Sequence, residues 1–203
     1  MPINRNILAI ETAGDACSVA LSCGAQVYQE MVAAPQKQGE VILPLVQAVL
    51  LASGLAPQDI MAIAFNVGPG SFTGVRLNTA VAQGVSLGWS IPLLPGCSLQ
   101  ALAYQRFQED AGHNPVVVCL DARKQEIYVG GYCFHADRLE ITIPEQVIAP
   151  DKLESTLAVQ GPLETPSARD ILHFAQYKLH IGAALCEPAD VEPCYVRLRV
   201  TDI

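Results

Sequence analysis

The chain has 203 residues, 51% of them apolar and only 16% charged, with a formal net charge of -8. That length suits one domain or two small ones packed together, and the low charged share, against about 25% in ordinary soluble domains, calls for an unusually large core or for apolar surface kept for a partner. The negative balance repels a phosphate backbone and excludes strong nucleic-acid binding by this chain alone, and no apolar run reaches the roughly 18 residues of a membrane helix.

Residues 7–10 (ILAI) and 17–22 (CSVALS) are short apolar runs separated by the turn-rich 11–15, the pattern of a β-hairpin, and a third strand is expected over 26–33. Residues 39–53 are long enough for a helix, begin with an acidic residue and stop at Gly54. The continuous apolar run 60–67 reads as a strand buried on both faces of a parallel sheet. After the turn Gly68-Pro69-Gly70-Ser71-Phe72-Thr73-Gly74 come a helix over 73–87, a short strand at 92–94 and a helix over 98–109. The polar break at 110–115 marks a boundary, which predicts units 1–110 and 111–203. The runs 116–121 and 126–134 repeat the opening hairpin, each first strand ending on a carboxylate, Glu11 or Asp121. Beyond them a strand at 139–143, short helices at 150–157 and 166–178, and a strand-like tail at 195–200 are expected.

In the glycine turn the three glycines permit tight backbone conformations, Pro69 stiffens it, and Ser71 or Thr73 can cap the following helix. A Walker A loop needs a lysine after its last glycine, but Gly74 is followed by Val75 and Arg76. A nucleophile elbow needs a glycine where Pro69 stands. A capped strand-to-helix connection accounts for every residue type in it. The seven cysteines form no C-x-x-C and have no secretory leader ahead of them, which fits a reduced cytoplasm and small buried hydrophobes. The histidines His113, His135, His173 and His180 form no H-x-x-x-H or H-E-x-x-H, so no metal site is expected.

The runs 8–21, GPGSFTGVR at 68–76, AQG at 82–84, LDAR at 120–123 with Glu126-Ile127-Tyr128, and EPCYVR at 192–197 together resemble the TsaB (YeaZ) family, in order and over most of the chain. The resemblance implies an α/β fold of the actin-like class, similar to Hsp70, sugar kinases and ribonuclease H, with duplicated lobes of which the second is reduced. It further implies a non-catalytic scaffold in the cytoplasm that pairs with TsaD and TsaE for threonylcarbamoylation of the tRNA adenosine beside the anticodon, and with itself when alone. ATP and metal belong to the partner subunits, and tRNA is reached only through the complex. The peptidase reading is disfavoured by the histidine spacing.

Three places depart from that pattern: glutamate at Glu11 where aspartate is frequent, Gln38-Gly39-Glu40 where a histidine and a hydroxyl residue often open the first helix, and Asn66-Val67 where glycine and arginine often precede the turn. Glu11, Thr12, Asp121 and Arg123 are the nucleotide-proximal candidates, although both phosphate loops look degenerate and Asp121 with Arg123 also suits a plain surface ion pair. An ATP-dependent acyl- or phosphotransferase at an interlobe site is the alternative function. Ala80, Gly84 and Gly88 recur every four residues and line one helical stripe, while Val41, Ile42, Leu43, Leu45, Val46, Val49, Leu50 and Leu51 exceed what one buried face requires. The expected partner interface is Val41, Leu45, Val49, Arg76, Ala80, Gln83, Gly84, Leu87 and Gly88.

Overall fold

The computed structural model describes residues 6–14, 16–33, 37–110, 114–153 and 165–196. Strands β1 (Ile7–Glu11), β2 (Ala16–Cys23) and β3 (Gln26–Ala33) form an antiparallel meander. β4 (Ala62–Asn66) and β5 (Leu93–Gly96) add to β1 in parallel, which gives the order β3-β2-β1-β4-β5. All five residues of β1 and of β4 are buried, because helices cover both faces of the sheet there. Side-chain alternation divides each strand between two cores. Leu8, Ile10, Val19, Leu21, Ile63, Phe65 and Leu93 share one core with Ile42, Val46 and Val49 of α1 (Gln38–Ser53) and Ala82 of α2 (Phe72–Trp89). Ile7, Ala9, Ala20, Ala64 and Leu94 share the other with α3 (Ser98–Glu109) and α4 (Ala168–His180).

Helix ends follow local chemistry. Gly54 adopts a left-handed conformation (φ 71°) and donates its N–H to the carbonyl of Leu50, which closes α1. Ser71 caps α2 by accepting from the Gly74 N–H.

A second, antiparallel sheet comprises β6 (Val116–Arg123), β7 (Glu126–Phe134) and β8 (Leu139–Ile148). Its inner face gives Val116, Val118, Leu120, Tyr132 and Phe134 to the α3/α4 core, so these two helices lie between the sheets. Tyr104, Phe107, Phe134, Phe174 and Tyr177 meet there, the closest rings being Tyr104 and Tyr177 with centroids 4.8 Å apart. On the outer face Val117, Cys119, Ile127 and Val129 form a small separate cluster.

The division into 1–110 and 111–203 separates the two sheets but not the packing. α4 lies in the second segment yet packs across β1, β2 and β4 of the first sheet, and Cys186 then bridges to Leu93 of β5. Further expectations change. β8 continues to Ile148, past the 139–143 expected, and β6 runs on to Arg123, so Asp121 sits within its strand and the turn is made by Arg123, Lys124 and Gln125 with φ of 62°, 52° and 61°. Of the helix expected at 150–157, a 3-10 turn at Pro150–Lys152 is present and 154–157 lie outside the described residues. Tyr195 and Val196 are not in a strand, while 197–200 and His113 lie outside the described residues.

Candidate functional site

The glycine turn joins β4 to α2 and is glued to the first hairpin. Ser71 N–H donates to the carbonyl of Ala13 (3.0 Å) and Thr12 Oγ1 donates to the carbonyl of Gly74 (2.9 Å). A Cβ on Gly74 would overlap the Thr12 carbonyl and come within 2.8 Å of Ala13 Cα, and one on Gly70 would lie 2.9 Å from Ala13 Cβ. Gly68 (φ 120°) sits under the carbonyl of Cys194, Ser98 N–H donates to the Gly68 carbonyl, and Ser98 Oγ donates to that of Pro69. Pro69 is buried and follows a cis peptide bond, whereas Phe72 and Thr73 are exposed. The glycines are therefore there to let backbone meet backbone. The Thr12-Ala13 turn, which would have to face a phosphate in a nucleotide site, faces α2 instead.

Glu11 and Thr12 are buried at 1% and 0% exposure. The Ala13 N–H donates to Glu11 Oε1, while Oε2 has no hydrogen-bond partner among the described residues. Glu11 ends β1 beside Asn66 at the end of β4, since Ile10 pairs with Phe65. Two of the sequence departures thus meet in one buried contact. Asn66 Oδ1 accepts from the Gly68 N–H (2.8 Å), and Asn78 Nδ2 donates to the carbonyls of Ile10 (3.2 Å) and Asn66 (3.0 Å). Desolvation pushes the Glu11 carboxyl up to about 7. Asp121 and Arg123 lie on the other sheet as an exposed ion pair (3.3 Å). The four nucleotide-proximal candidates are thus split between a buried turn and an exposed one.

The outer face of α2 is open. Arg76, Ala80, Gly84, Leu87 and Gly88 are exposed, Leu87 at 69%, and a Cβ on Gly84 or Gly88 would meet nothing within 4 Å. Among the described residues, the intramolecular packing that a small-residue stripe suggests is absent there. Gln83 turns inward, its Nε2 donating to the carbonyls of Pro188 (2.8 Å) and Val191 (3.0 Å). Val49 must leave the expected interface: it is 0% exposed and belongs to the core with Ile42 and Val46. On α1 the exposed apolar residues are Leu43 and Leu51, with Val41 and Leu45 half-buried. At the start of α2 the Arg76 guanidinium lies 3.4 Å over the Phe72 ring, and its Nε donates to the Tyr195 hydroxyl (2.8 Å). Phe72 and Tyr195 are both exposed, and the pairing of Arg76 with Tyr195 across 119 positions carries no sequence signal. Between them α1 and α2 hold two charged residues, Glu40 and Arg76.

Elsewhere Glu145 Oε1 accepts from Gln100 Nε2 (2.9 Å), the Tyr132 hydroxyl (2.9 Å) and the Cys97 thiol (3.0 Å), which ties β8 to the start of α3. Burial holds that thiol well above its ordinary range and makes it a poor nucleophile. Among the described residues no group of three His, Cys, Asp or Glu side chains is placed to hold a metal ion, and no helix is long and apolar enough to cross a membrane.

A mixed sheet of order 3-2-1-4-5, covered on both faces by helices and followed by a smaller antiparallel sheet, places the chain among actin-like α/β proteins. The sequence pattern of tRNA N6-adenosine threonylcarbamoyltransferase, TsaD, matches residues 32–185. The tRNA threonylcarbamoyladenosine biosynthesis protein TsaB of Escherichia coli strain K12 is 36% identical, over 96% of this chain and 95% of that protein. The chain belongs to the TsaB (YeaZ) family. The TsaB protein of Haemophilus influenzae is 29% identical over 98% of this chain and 96% of that protein. A crystal structure of a Pseudomonas aeruginosa protein with similarity to peptidase YeaZ superposes with a TM-score of 0.82 at 28% identity, covering 95% of this chain and all of that one.

Proposed function

We propose that this chain is a non-catalytic subunit of tRNA threonylcarbamoyladenosine biosynthesis, which docks on a TsaD-type transferase through the outer faces of α2 and α1. The observation that carries the reading is the open stripe of Ala80, Gly84 and Gly88, flanked by exposed Leu87 and almost bare of charge. Glycine inside a helix costs about 1 kcal/mol relative to alanine, and two with nothing packed on them waste that stability in the lone chain. An approaching helix recovers it by coming closer than a side chain would permit. The family relationship supplies the pathway, through relatives named for threonylcarbamoyladenosine biosynthesis. The closed Thr12 turn supports a supporting role, with ATP and metal held by TsaD and a TsaE ATPase, tRNA engaged only by the assembly, and the same helix face pairing two copies in the cytoplasm when TsaD is absent.

Gly84→Arg tests the reading. The site has room for the side chain among the described residues, so the variant should fold with an unchanged far-UV spectrum and a thermal midpoint no lower than that of the wild type. It should fail to co-purify with TsaD and should fail to support threonylcarbamoylation of tRNA when mixed with TsaD, TsaE and threonylcarbamoyl-adenylate. Retained binding overturns the proposed face; undiminished tRNA modification with this chain omitted altogether overturns the function.

A further inference from the structure

Glu11, Asn66 and Asn78 make a buried polar cluster under the glycine turn, and its hydrogen bonding is incomplete in a specific way. Glu11 Oε2, Asn66 Nδ2 and Asn78 Oδ1 are fully buried and lack partners among the described residues, although each side chain also holds a backbone group of the junction. Asn78 belongs to the second turn of α2 and bridges β1 to β4, Asn66 fixes Gly68, and Glu11 fixes Ala13, whose carbonyl receives the Ser71 N–H. The start of α2 is thus held from below by three side chains, one of which titrates.

Among the described residues no cation balances Glu11. Burial first, and Asp170 from α4 after it, disfavour a negative charge on Glu11, while the Ala13 and Thr12 N–H groups and the Asn66 carboxamide from β4 favour one without offsetting the burial. The other groups close by are the neutral Cys17 thiol from β2, itself pushed up to about 11, and the Asn78 carboxamide from α2. Protonated, Glu11 offers an O–H to a cluster that contains an unused acceptor, Asn78 Oδ1. Ionised, it is acceptor-only and buried, with no cation beside it among the described residues.

We propose that this cluster is a proton-dependent latch on the Gly68–Gly74 junction: with a proton on Glu11 the turn and the first turn of α2 are fixed, and on its loss they loosen. The working range lies near neutrality, because desolvation first, with Asp170 adding to it, lifts the carboxyl to about 7 from an ordinary 4.5. The folded value is the higher one, so the stabilisation is complete below about 4.5 and is lost as pH rises through about 7. Between about pH 5.5 and about pH 8.5 the opening equilibrium should rise roughly thirtyfold, if the opened state titrates at the ordinary value. The latch is internal to this chain and does not depend on what α2 meets, although Phe72 and Arg76 of the open face ride on the turn it controls.

The test is amide hydrogen exchange at Gly74 and Val75, corrected for intrinsic pH dependence, in wild type and in Glu11→Gln, which keeps the neutral shape. The latch predicts a rise of roughly thirtyfold in wild type over that range, none in the glutamine variant, and little change at α4 amides such as Leu172. Equal pH dependence in the two proteins, or a rise shared by α4, overturns it. Should Glu11→Gln not fold, the carboxyl 13C titration of Glu11 in wild type decides: a midpoint near 7 supports the latch, and one near 4.5 overturns it.

Discussion

Glycine has two opposite uses within α2, and they separate at single positions. Gly74 is pressed against the Thr12-Ala13 backbone, whereas Gly84 faces open space ten residues on. Gly74→Ala forces the hairpin turn and the helix apart, and should cost on the order of 2–4 kcal/mol in urea unfolding. Gly84→Ala should instead stabilise the isolated chain by about 0.5–1 kcal/mol, through helix propensity alone. Urea curves of the two variants check both signs, and a cost at Gly84 would mean that the stripe is already covered in the lone protein. From the sequence these glycines looked alike, since helical spacing places a residue on a face without saying what lies opposite. The same blindness misplaced Val49: α1 is apolar all round, so periodicity could not divide Ile42, Val46 and Val49 on the core side from Leu43 and Leu51 outside. Glu11 and Asn66 were legible as departures, but their adjacency comes from the parallel pairing of β1 and β4, a contact between residues 55 positions apart that no local pattern encodes.

Elements with strong local signals came through with their boundaries nearly intact. α3 occupies residues 98–109 as expected, since an apolar face bounded by the polar 110–115 leaves little freedom. β3 likewise spans 26–33. β6 and β8 were underestimated for physical reasons. Three consecutive non-glycine residues with positive φ form the β6–β7 turn, a choice that turn propensities oppose, and Pro144 within β8 reads as a stop although an edge strand tolerates it. α4 lies close to the helix expected at 166–178, but its destination was not readable. It buries Ile171, Leu172, Phe174 and Ala175 in the core that both sheets share. Leu172→Ala should therefore cost about 2–5 kcal/mol. The two sheets should still be lost in one transition, seen as coincident urea curves from far-UV circular dichroism and from tyrosine fluorescence. Separate transitions would show that the sheets are independent units.

At the scale of the whole molecule, the shares of charge and apolar residue read at the outset are met twice over, by a core with two faces and by an uncovered helix surface. What composition could not reveal is the order in which the chain closes. The first sheet is made within the first 96 residues, yet one of its faces is sealed by residues 168–180 and its β5 edge by Cys186. A fragment of residues 1–110 should accordingly fail to fold, with low thermal cooperativity and strong binding of a hydrophobic dye, and a cooperative transition in that fragment would refute the dependence. During synthesis the consequence is temporal. Until residues 168–186 have left the ribosome, the apolar side of the first sheet has nothing to lie against. The nascent chain is therefore most in need of a chaperone just before residues 168–186 emerge, and a premature stop ahead of them would release a sticky half-core in place of a shortened subunit.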